Sequence, residues 1–323
     1  MKKATIVALT LCVIAFLFVT VSCNNSPNKQ NSTELQGNIS ISGAFAMYPL
    51  SVKWAEEFKK LHPKVKIDVS AGGAGKGMAD VLNGLVDVAM FSREVSKEET
   101  DKGAWFVAVA KDAVLPTINI DNPAYKAIME RGLTKQEFTD IFLTEKIKKW
   151  KQIIPTAGPA KINVYTRSDA CGAGEMWAKY MGKKQEDIKG VGVYGDPGMS
   201  DAVKKDKFGI GYNNVIYAYD PKTKKNYDGI AVIPLDLNGN GKIDSTEKFY
   251  TNLDDLMLAI KEDRFPSPPA RNLYFITKGK TTNQLVLEFF KFVLGEGQKY
   301  IHDAGYVTLN DARLKTETEK LSK

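Results

Sequence analysis

The alternation of apolar and polar residues predicts that the chain is built from alternating strands and helices. Residues 37–42 (GNISIS) alternate as in a half-buried strand, and residues 49–61 carry their large apolar side chains at helical spacing. The same succession follows as a strand at 65–70, a glycine-rich turn at 72–77 and a helix at 78–85, and a third apolar strand ends at Phe91. Loops that follow a strand and precede a helix favour a parallel sheet with a ligand crevice at the carboxyl ends of its strands.

A second run of alternating elements follows in the middle of the chain. It opens with a helix at 134–142, for which Thr134 is the predicted N-cap and Glu137 its capping-box partner. The elements predicted after it are a strand at 162–165, a turn at 167–174, helices at 175–181 and 200–205, strands at 209–212 and 230–235, a strand at 273–277 and a helix at 285–294. The fold class is therefore α/β.

The first 22 residues have the pattern of an export signal. Two lysines precede an almost unbroken apolar stretch at residues 4–21, which ends just before Ser22 and Cys23. A small residue followed by Cys resembles the processing site of bacterial lipoproteins, which predicts cleavage after residue 22 and lipidation of Cys23. An uncleaved membrane-spanning anchor is the alternative. Both place the folded part outside the cytoplasm, behind a polar tether at residues 23–36.

Composition excludes several classes of protein. With 43% hydrophobic, 10% aromatic and 26% charged residues, the chain is neither disordered nor a disulfide scaffold, and 323 residues suffice for two lobes. The net charge of +7 falls to +5 without the two lysines of residues 1–22, and no block of like charge indicates nucleic-acid binding. Beyond Cys12 and Cys23 only Cys171 remains, so the mature chain has no structural disulfide.

Glycine-rich turns between strand and helix are the first functional signal. They occur near Gly43, at residues 73–77 and at residues 172–174. Such turns leave main-chain N–H groups free at a helix N-terminus, where the helix dipole favours an anion. Arg167, just before the third turn, adds a guanidinium that can hold two oxyanion oxygens, and Asp169 can fix its orientation. We therefore expect a site for a tetrahedral oxyanion.

Five segments, in order, resemble the substrate-binding proteins of bacterial phosphate ABC transporters. They are 43–50 (GAFAMYPL), 72–93 (GGAGKGMADVLNGLVDVAMFSR), 167–173 (RSDACGA), 209–219 (GIGYNNVIYAY) and 271–309, which contains GQKYIHDAGYVTL. The resemblance implies a two-lobed, type II periplasmic-binding-protein fold that closes on phosphate and hands it to a membrane permease. Residues 37–115 and 268–323 would form lobe 1, and residues 116–267 would form lobe 2, with two crossovers between the lobes.

The resemblance also assigns the family's phosphate contacts to residues of this chain. They are Ala44, Phe45 and Ala46 in the first loop, Ala74 and Gly75 in the second, Ser92, Arg167 with Asp169 as its buttress, and Cys171, Gly172 and Ala173 at a helix N-terminus. Most hydroxyl side chains usual in the family are replaced here, and each lost donor costs ~1.5–3 kcal/mol with a charged ligand. The main-chain N–H groups remain. Either Asp169 or a main-chain carbonyl would accept the phosphate proton, or the site would have no acceptor for it.

A second motif, independent of the first, fits a twelve-residue calcium loop. Residues 236–247 (DLNGNGKIDSTE) have oxygen-bearing side chains at loop positions 1, 3, 5, 9 and 12 and glycine at position 6. The predicted ligands are Asp236, Asn238, Asn240, the carbonyl of Lys242, Asp244 and Glu247. The segment before the loop reads as a strand, so we expect an isolated loop with a structural calcium ion. An Asn- and Gly-rich β-turn is the alternative.

Cys171 also permits an enzymatic interpretation. A thiol at a helix N-terminus close to Arg167 can have a lowered pKa and act as a nucleophile. The two histidines, His62 and His302, lie far from it in the sequence, so Cys171 is better interpreted as a small residue in place of Ser.

The sequence therefore predicts a lipid-anchored, monomeric, extracytoplasmic receptor for inorganic phosphate. It would deliver phosphate to the permease subunits of an ABC transporter, with no catalysis, no organic cofactor and no nucleic-acid partner. A receptor for another tetrahedral oxyanion is the first alternative, and a calcium-stabilised surface binding or signalling module is the second.

Overall fold

The alternating strands and helices form a mixed sheet flanked by helices. The structure is a computed structural model that describes residues 34–322. The strands are β1 (Gly37–Gly43), β2 (Val65–Ala71), β3 (Val88–Phe91), β4 (Ala104–Asn119), β5 (Leu133–Thr134), β6 (Asn163–Arg167), β7 (Val191–Val193), β8 (Gly209–Asn214), β9 (Ile230–Val232), β10 (Leu235–Asp236) and β11 (Ala270–Lys278). The α-helices are α1 (Tyr48–Leu61), α2 (Ala74–Leu82), α3 (Lys97–Asp101), α4 (Tyr125–Arg131), α5 (Lys135–Phe142), α6 (Gly172–Tyr180), α7 (Gly195–Lys205), α8 (Val215–Ala218), α9 (Leu253–Lys261), α10 (Gln284–Leu294) and α11 (Asp311–Ser322). The predicted capping box of Thr134 and Glu137 is confirmed at the start of α5.

The predicted export signal, Cys23 and most of the tether lie outside the described residues. Between residues 34 and 322, no helix is both long enough and apolar enough to cross a membrane.

The main sheet has the strand order β2-β1-β3-β11-β4-β8-β6-β7, with β9 also paired to β4. β1 pairs in parallel with β2 and β3, and β6 pairs in parallel with β7 and β8. At the centre, β11 runs antiparallel to β3 and β4, and β4 runs antiparallel to β8. The prediction of parallel pairing is therefore correct for the strands on each side of the sheet and wrong for those at its centre. The central strands are antiparallel because they run directly from one lobe to the other.

The long central strand β4 was not predicted from the sequence. Nearly all of its sixteen residues are buried, so the apolar and polar alternation that marks a half-exposed strand is missing. Residues 104–113 pair with β11, whereas residues 114–118 pair with β8. A single strand thus runs through both halves of the sheet.

Two hydrophobic cores correspond to the two lobes. One core contains buried side chains from Ile39 to Ala110 and from Leu273 onward, together with Ile216. The other core contains side chains from Ala113 to Ala270, together with Val307. The change from one core to the other therefore occurs inside β4 and inside β11. Because these strands are hydrogen-bonded neighbours, the two crossings lie side by side, and this junction of the two lobes is named the hinge.

The second glycine-rich turn is shorter than predicted. Helix α2 begins at Ala74 rather than at residue 78, and the Gly77 N–H already donates to the carbonyl of Gly73 at 3.1 Å. Gly73 has φ +93°, a left-handed conformation that favours glycine. A Cβ on Gly77 would lie 2.7 Å from the Gly43 Cα, so α2 packs directly on the end of β1. The first turn of α2 therefore lies next to the first loop.

Candidate anion site between the lobes

Arg167 is the last residue of β6, and only 1% of its side chain is exposed. Its Nε and Nη2 donate to the two carboxylate oxygens of Asp169 at 2.8 and 2.6 Å, which is the expected pairing. Its Nη1 donates to Oδ2 of Asp196 at 2.7 Å, a contact that the sequence did not suggest. Burial alone would lower the pKa of Arg167, but Asp196 and Asp169 raise it above its ordinary value. The guanidinium is therefore charged and fixed in position.

The first and second loops both reach this ion pair. The Phe45 ring centre lies 5.5 Å from Cζ of Arg167, within the range of a cation–π contact. On the other side, a Cβ on Gly73 would lie 2.9 Å from Oδ2 of Asp169. Two loops that are remote from Arg167 in sequence are thus brought to it by the fold.

The third loop packs against the end of β3. A Cβ on Gly172 would lie 2.1 Å from the Ser92 carbonyl oxygen and 2.4 Å from its Oγ, so only glycine fits at this position. The Gly75 N–H donates to the carbonyl of Ala170 at 3.2 Å, which joins the second loop to the third. The predicted site residues of both lobes therefore lie together, in a conformation in which the lobes touch.

Five of the predicted residues present N–H groups at the start of a helix or 3₁₀ turn, where the helix itself offers no acceptor. They are Phe45 and Ala46 in the turn Phe45–Met47, Ala74 in α2, and Gly172 and Ala173 in α6. Three other predicted N–H groups already donate to the protein. The Ala44 N–H donates to the carbonyl of Met90, the Gly75 N–H to the carbonyl of Ala170 and the Cys171 N–H to Oε1 of Gln185. The five N–H groups that lack a helical acceptor still come from all three loops.

Two tyrosines hold the first loop from behind. Tyr217 donates its hydroxyl to the carbonyl of Phe45 at 3.1 Å, and Tyr306 donates to the carbonyl of Ala46 at 2.8 Å. In a trans peptide the C=O and the following N–H point in opposite directions, so the Ala46 N–H points away from Tyr217. Both tyrosines were missed, because nothing in the sequence near residue 45 indicates them.

Cys171 is the N-cap of α6, and its Sγ accepts the Gly174 N–H at 3.2 Å. Burial raises the pKa of the thiol to about 12, although Arg167 acts in the opposite direction. The lowered pKa that a nucleophile would need is therefore absent. The thiol instead occupies the place of a capping hydroxyl.

Asp196 was also missed, although the sequence offered a signal. Residues 191–198 (VGVYGDPG) form a further unit of strand, glycine turn and helix, in which Gly195 has φ +71° and α7 begins. Oδ1 of Asp196 accepts Nδ2 of Asn214 at 2.6 Å. A fourth turn therefore contributes to the site, with a carboxylate rather than with an N–H group.

The charge balance of the buried groups does not by itself favour an anion. Two guanidinium groups, Arg167 and Arg271, lie in a network with three carboxylates, Asp112, Asp169 and Asp196. The attraction for an anion must therefore come mainly from aligned N–H groups and helix dipoles, which need no net positive charge.

Arg93 connects the lobes at the edge of the cleft. Its Nε lies 2.9 Å from Oε2 of Glu175 on α6, and its Nη2 donates to Glu99 at 2.6 Å. A cavity of about 470 Å³ opens beside this ion pair, between Gly75 and Arg93 on one side and α6 on the other. The Arg93–Glu175 pair is thus a contact that opening of the cleft would break.

The predicted calcium loop, residues 236–247, is tightly folded after β10. The carboxylate oxygens of Asp236 accept the N–H groups of Gly239 and Gly241 at 2.7 and 2.8 Å, and those of Glu247 accept two further N–H groups of the loop at 2.8 and 3.0 Å. Both glycines have φ +75°. Asp236 and Glu247 are each only 3% exposed, and no cationic side chain among residues 34–322 pairs with either of these buried carboxylates.

The other predicted ligands lie around the same loop. Asn238 and Asn240 donate their amides to Oδ2 of Asp244 at 3.0 and 2.8 Å, and the Lys242 N–H donates to Oδ1 of Asn240 at 3.0 Å. Within residues 34–322, no three His, Cys, Asp or Glu side chains are gathered as a metal site. The donor set of carboxylate, amide and carbonyl oxygens nevertheless fits calcium, which prefers oxygen ligands.

Fold and site together are those of a two-lobed binding protein with a candidate anion site between its lobes. A family model described as a PBP superfamily domain matches residues 28–296. The chain belongs to this superfamily, that of the periplasmic binding proteins, and the expected two-lobed fold is confirmed.

Individual relatives are more specific. The phosphate-binding protein PstS of Staphylococcus epidermidis (strain ATCC 12228) is 27% identical, over 99% of this chain and 94% of that protein. A phosphate ABC transporter substrate-binding protein from Clostridium perfringens, solved with bound phosphate, has a TM-score of 0.69 at 21% identity and covers 85% of this chain and 100% of that one. An ABC-type phosphate transport receptor from Vibrio cholerae has a TM-score of 0.61 at 19% identity, over 84% of this chain and 100% of that one. The family resemblance of the sequence is therefore confirmed.

Proposed function

We propose that the protein is the extracytoplasmic receptor of a phosphate ABC transporter. It binds inorganic phosphate between its lobes and delivers it to the permease without chemical change. The observation that carries this proposal is that three loops, each followed by a helix or 3₁₀ turn whose first N–H groups have no helical acceptor, lie against the Arg167–Asp169 pair. The similarity to PstS proteins supports the same ligand.

The site residues have separate roles in this proposal. A guanidinium carries five N–H hydrogens, and the bonds to Asp169 and Asp196 use three of them, which leaves one each on Nη1 and Nη2 for the anion. The free N–H groups of the three loops would hold the remaining oxygens. Closure of the lobes removes water and strengthens each of these bonds.

Isothermal titration with phosphate, sulfate and arsenate tests the proposal. We expect phosphate to bind at one site per chain and Arg167→Met to abolish the binding. Arg131→Met is the matched control, because Arg131 also pairs with a carboxylate, Glu137 at 2.9 Å, but lies outside the site. Preference for sulfate would favour a receptor for another oxyanion. Silence with all three anions would favour a calcium-stabilised surface module.

We further propose that the receptor is monomeric and is anchored through lipid on Cys23. Metabolic labelling with a radioactive fatty acid should mark the wild-type chain but not Cys23→Ser, and the variant should be released from the membrane. Phosphate uptake by cells that carry the released variant then measures how far delivery to the permease depends on the anchor. A labelled Cys23→Ser chain would contradict this part of the proposal.

Finally, we propose that residues 236–247 hold a structural calcium ion. The ion would bind Asp236, Asn238, Asn240, the carbonyl of Lys242, Asp244 and Glu247, and would neutralise carboxylates that the fold buries. A ligand at 100 times its Kd stabilises the native state by about 2.7 kcal/mol. We expect calcium to raise the melting temperature of the wild type and of Asp68→Asn, an exposed carboxylate elsewhere, but not that of Glu247→Gln. An equal rise in all three proteins would contradict the site.

A further inference from the structure

We propose that Asn214 is a positioning residue that couples an ion pair in the hinge, Arg271–Asp112, to Arg167 in the anion site. The inference rests on the proposed function for its ligand, but the coupling itself is a property of the protein. Asn214, Arg271 and Asp112 are not among the residues predicted to contact the anion.

The ion pair lies where the two lobes join. Arg271 on β11 is directly opposite Asp112 on β4, and its Nε and Nη2 donate to the carboxylate at 2.8 and 3.2 Å. The neighbouring residues Ala110 and Ala113 belong to different cores. Any bending of the lobes about β4 and β11 must therefore act on this pair.

Stability alone does not explain a buried ion pair at this place. Both side chains are at most 1% exposed, and Nη1 of Arg271 has no hydrogen-bond partner within residues 34–322. Burial raises the pKa of Asp112, against the lowering effect of Arg271. Apolar residues of the same volume often serve a core as well or better, so a specific role for the charges is the more economical explanation.

Asn214 carries the connection from the hinge to the site. It ends β8, beside Val114 of β4. Its Oδ1 accepts Nη2 of Arg271, and its Nδ2 donates to Oδ1 of Asp196 at 2.6 Å. The amide has one orientation only, because its oxygen faces a cation and its nitrogen faces an anion. Neither Asp nor Leu can make both contacts.

Asp196 completes the path, since its second oxygen accepts Nη1 of Arg167 at 2.7 Å. Each end of the path has a carboxylate of its own, Asp112 for Arg271 and Asp169 for Arg167. Removing the Asn214 side chain should therefore leave both ion pairs in place and cut only the link between them. Because coupling between two sites is reciprocal, an anion that binds to Arg167 should also change the contacts of the Arg271–Asp112 pair in the hinge.

A double-mutant cycle tests the link. One arm is Asn214→Leu, the other is Arg271→Met with Asp112→Leu, and the combination completes the cycle. We expect each arm to weaken phosphate binding about tenfold, within the range of ~5–150-fold usual for coupled sites. The combination should be no weaker than Asn214→Leu alone. Losses that multiply would show that hinge and site act independently and would overturn the inference.

Asn122→Leu is the matched control for a buried amide. Asn122 is 4% exposed, and among residues 34–322 its Oδ1 accepts only the Ala124 N–H, at 2.9 Å. We expect it to lower the unfolding midpoint as Asn214→Leu does, with phosphate affinity within twofold of the wild type. An equal loss of affinity would mean that Asn214 acts through stability alone, which would also overturn the inference.

A ligand-free measurement separates this inference from the proposed function. The NMR signal of the Arg167 Nε–H should shift on the hinge substitutions in the wild-type background and stay unchanged in the Asn214→Leu background. If this pattern is observed in a protein that does not bind phosphate, the proposed function is refuted and the coupling stands. If the protein binds phosphate but the hinge substitutions do not shift the Arg167 Nε–H signal, the coupling alone is refuted.

Discussion

Replacing Arg167 by Met should separate stability from binding in a measurable way. The substitution keeps most of the side-chain volume but removes the guanidinium from between Asp169 and Asp196. Their side chains are only 9% and 2% exposed, so both carboxylates would remain buried without a cation. The protein then either keeps uncompensated charge in its interior or opens the site to water.

The expected cost is large. Removal of one partner of a buried ion pair typically costs about 3–5 kcal/mol, and a domain has only about 5–15 kcal/mol of stability in total. At about 2–4 °C per kcal/mol for proteins of somewhat smaller size, the melting temperature should fall by roughly 6–20 °C. Calorimetry and urea unfolding measure the two quantities.

A second substitution checks the cause. In the Arg167→Met background, Asp196→Asn removes one of the stranded charges, so the double variant should be more stable than Arg167→Met alone. In the wild type, the same Asp196→Asn change should destabilise, because it weakens an intact pair at 2.7 Å. Neither Arg167 variant should bind phosphate. A loss below about 1 kcal/mol for Arg167→Met, or no recovery in the double variant, would refute the idea of a buried, shared guanidinium.

Four other outcomes concern the rim and the helix N-terminus of the site. Because burial raises the pKa of the Cys171 thiol to about 12, iodoacetamide at pH 8 should label the folded protein far more slowly than the urea-unfolded protein. Mass spectrometry measures the ratio of the two labelling rates, and equal rates would contradict a buried thiol. Since this folded-state pKa lies above the unfolded value of about 8.5, the thiol's contribution to stability is complete below that pH and is lost as the pH rises toward 12. Cys171→Ser supplies an O–H donor at the start of α6 and should tighten phosphate binding ~10–100-fold, the equivalent of a hydrogen bond to a charged group; an unchanged Kd would show that residue 171 does not face the anion. Glu175→Gln breaks the 2.9 Å pair with Arg93 across the cleft and should speed phosphate release severalfold in stopped-flow measurements, whereas Asp101→Asn, which breaks an exposed pair within lobe 1, should not. Equal rates in both variants would show that the Arg93–Glu175 pair does not hold the cleft closed.

Sequence reasoning succeeded where the signal is local. The periods of β1, β2 and α1 reflect the burial of one face of each segment, so their bounds agree with the structure within one residue. Arg167 and Asp169 were paired in advance because they lie two residues apart. The capping box at Thr134 is local in the same sense.

Glycine-rich turns were found for the same reason, but their limits were not. Such a turn is visible as composition, whereas the residue at which the helix starts depends on packing. Helix α2 begins at Ala74 because Gly77 lies against Gly43 of the neighbouring strand. In strand β4, burial of nearly every residue removed the alternation on which the prediction depends.

The chain's own order of residues determined the fold class, the three loops and the arginine that they surround. Only the tertiary structure decided which distant groups complete the site. Asp196 reaches Arg167 across 29 residues, Arg271 reaches Asn214 across 57, and Tyr217 reaches the Phe45 carbonyl across 172. Partners so far apart leave no periodic trace, because their meeting depends on how separate elements pack in three dimensions rather than on the hydrogen bonds and burial of any one segment.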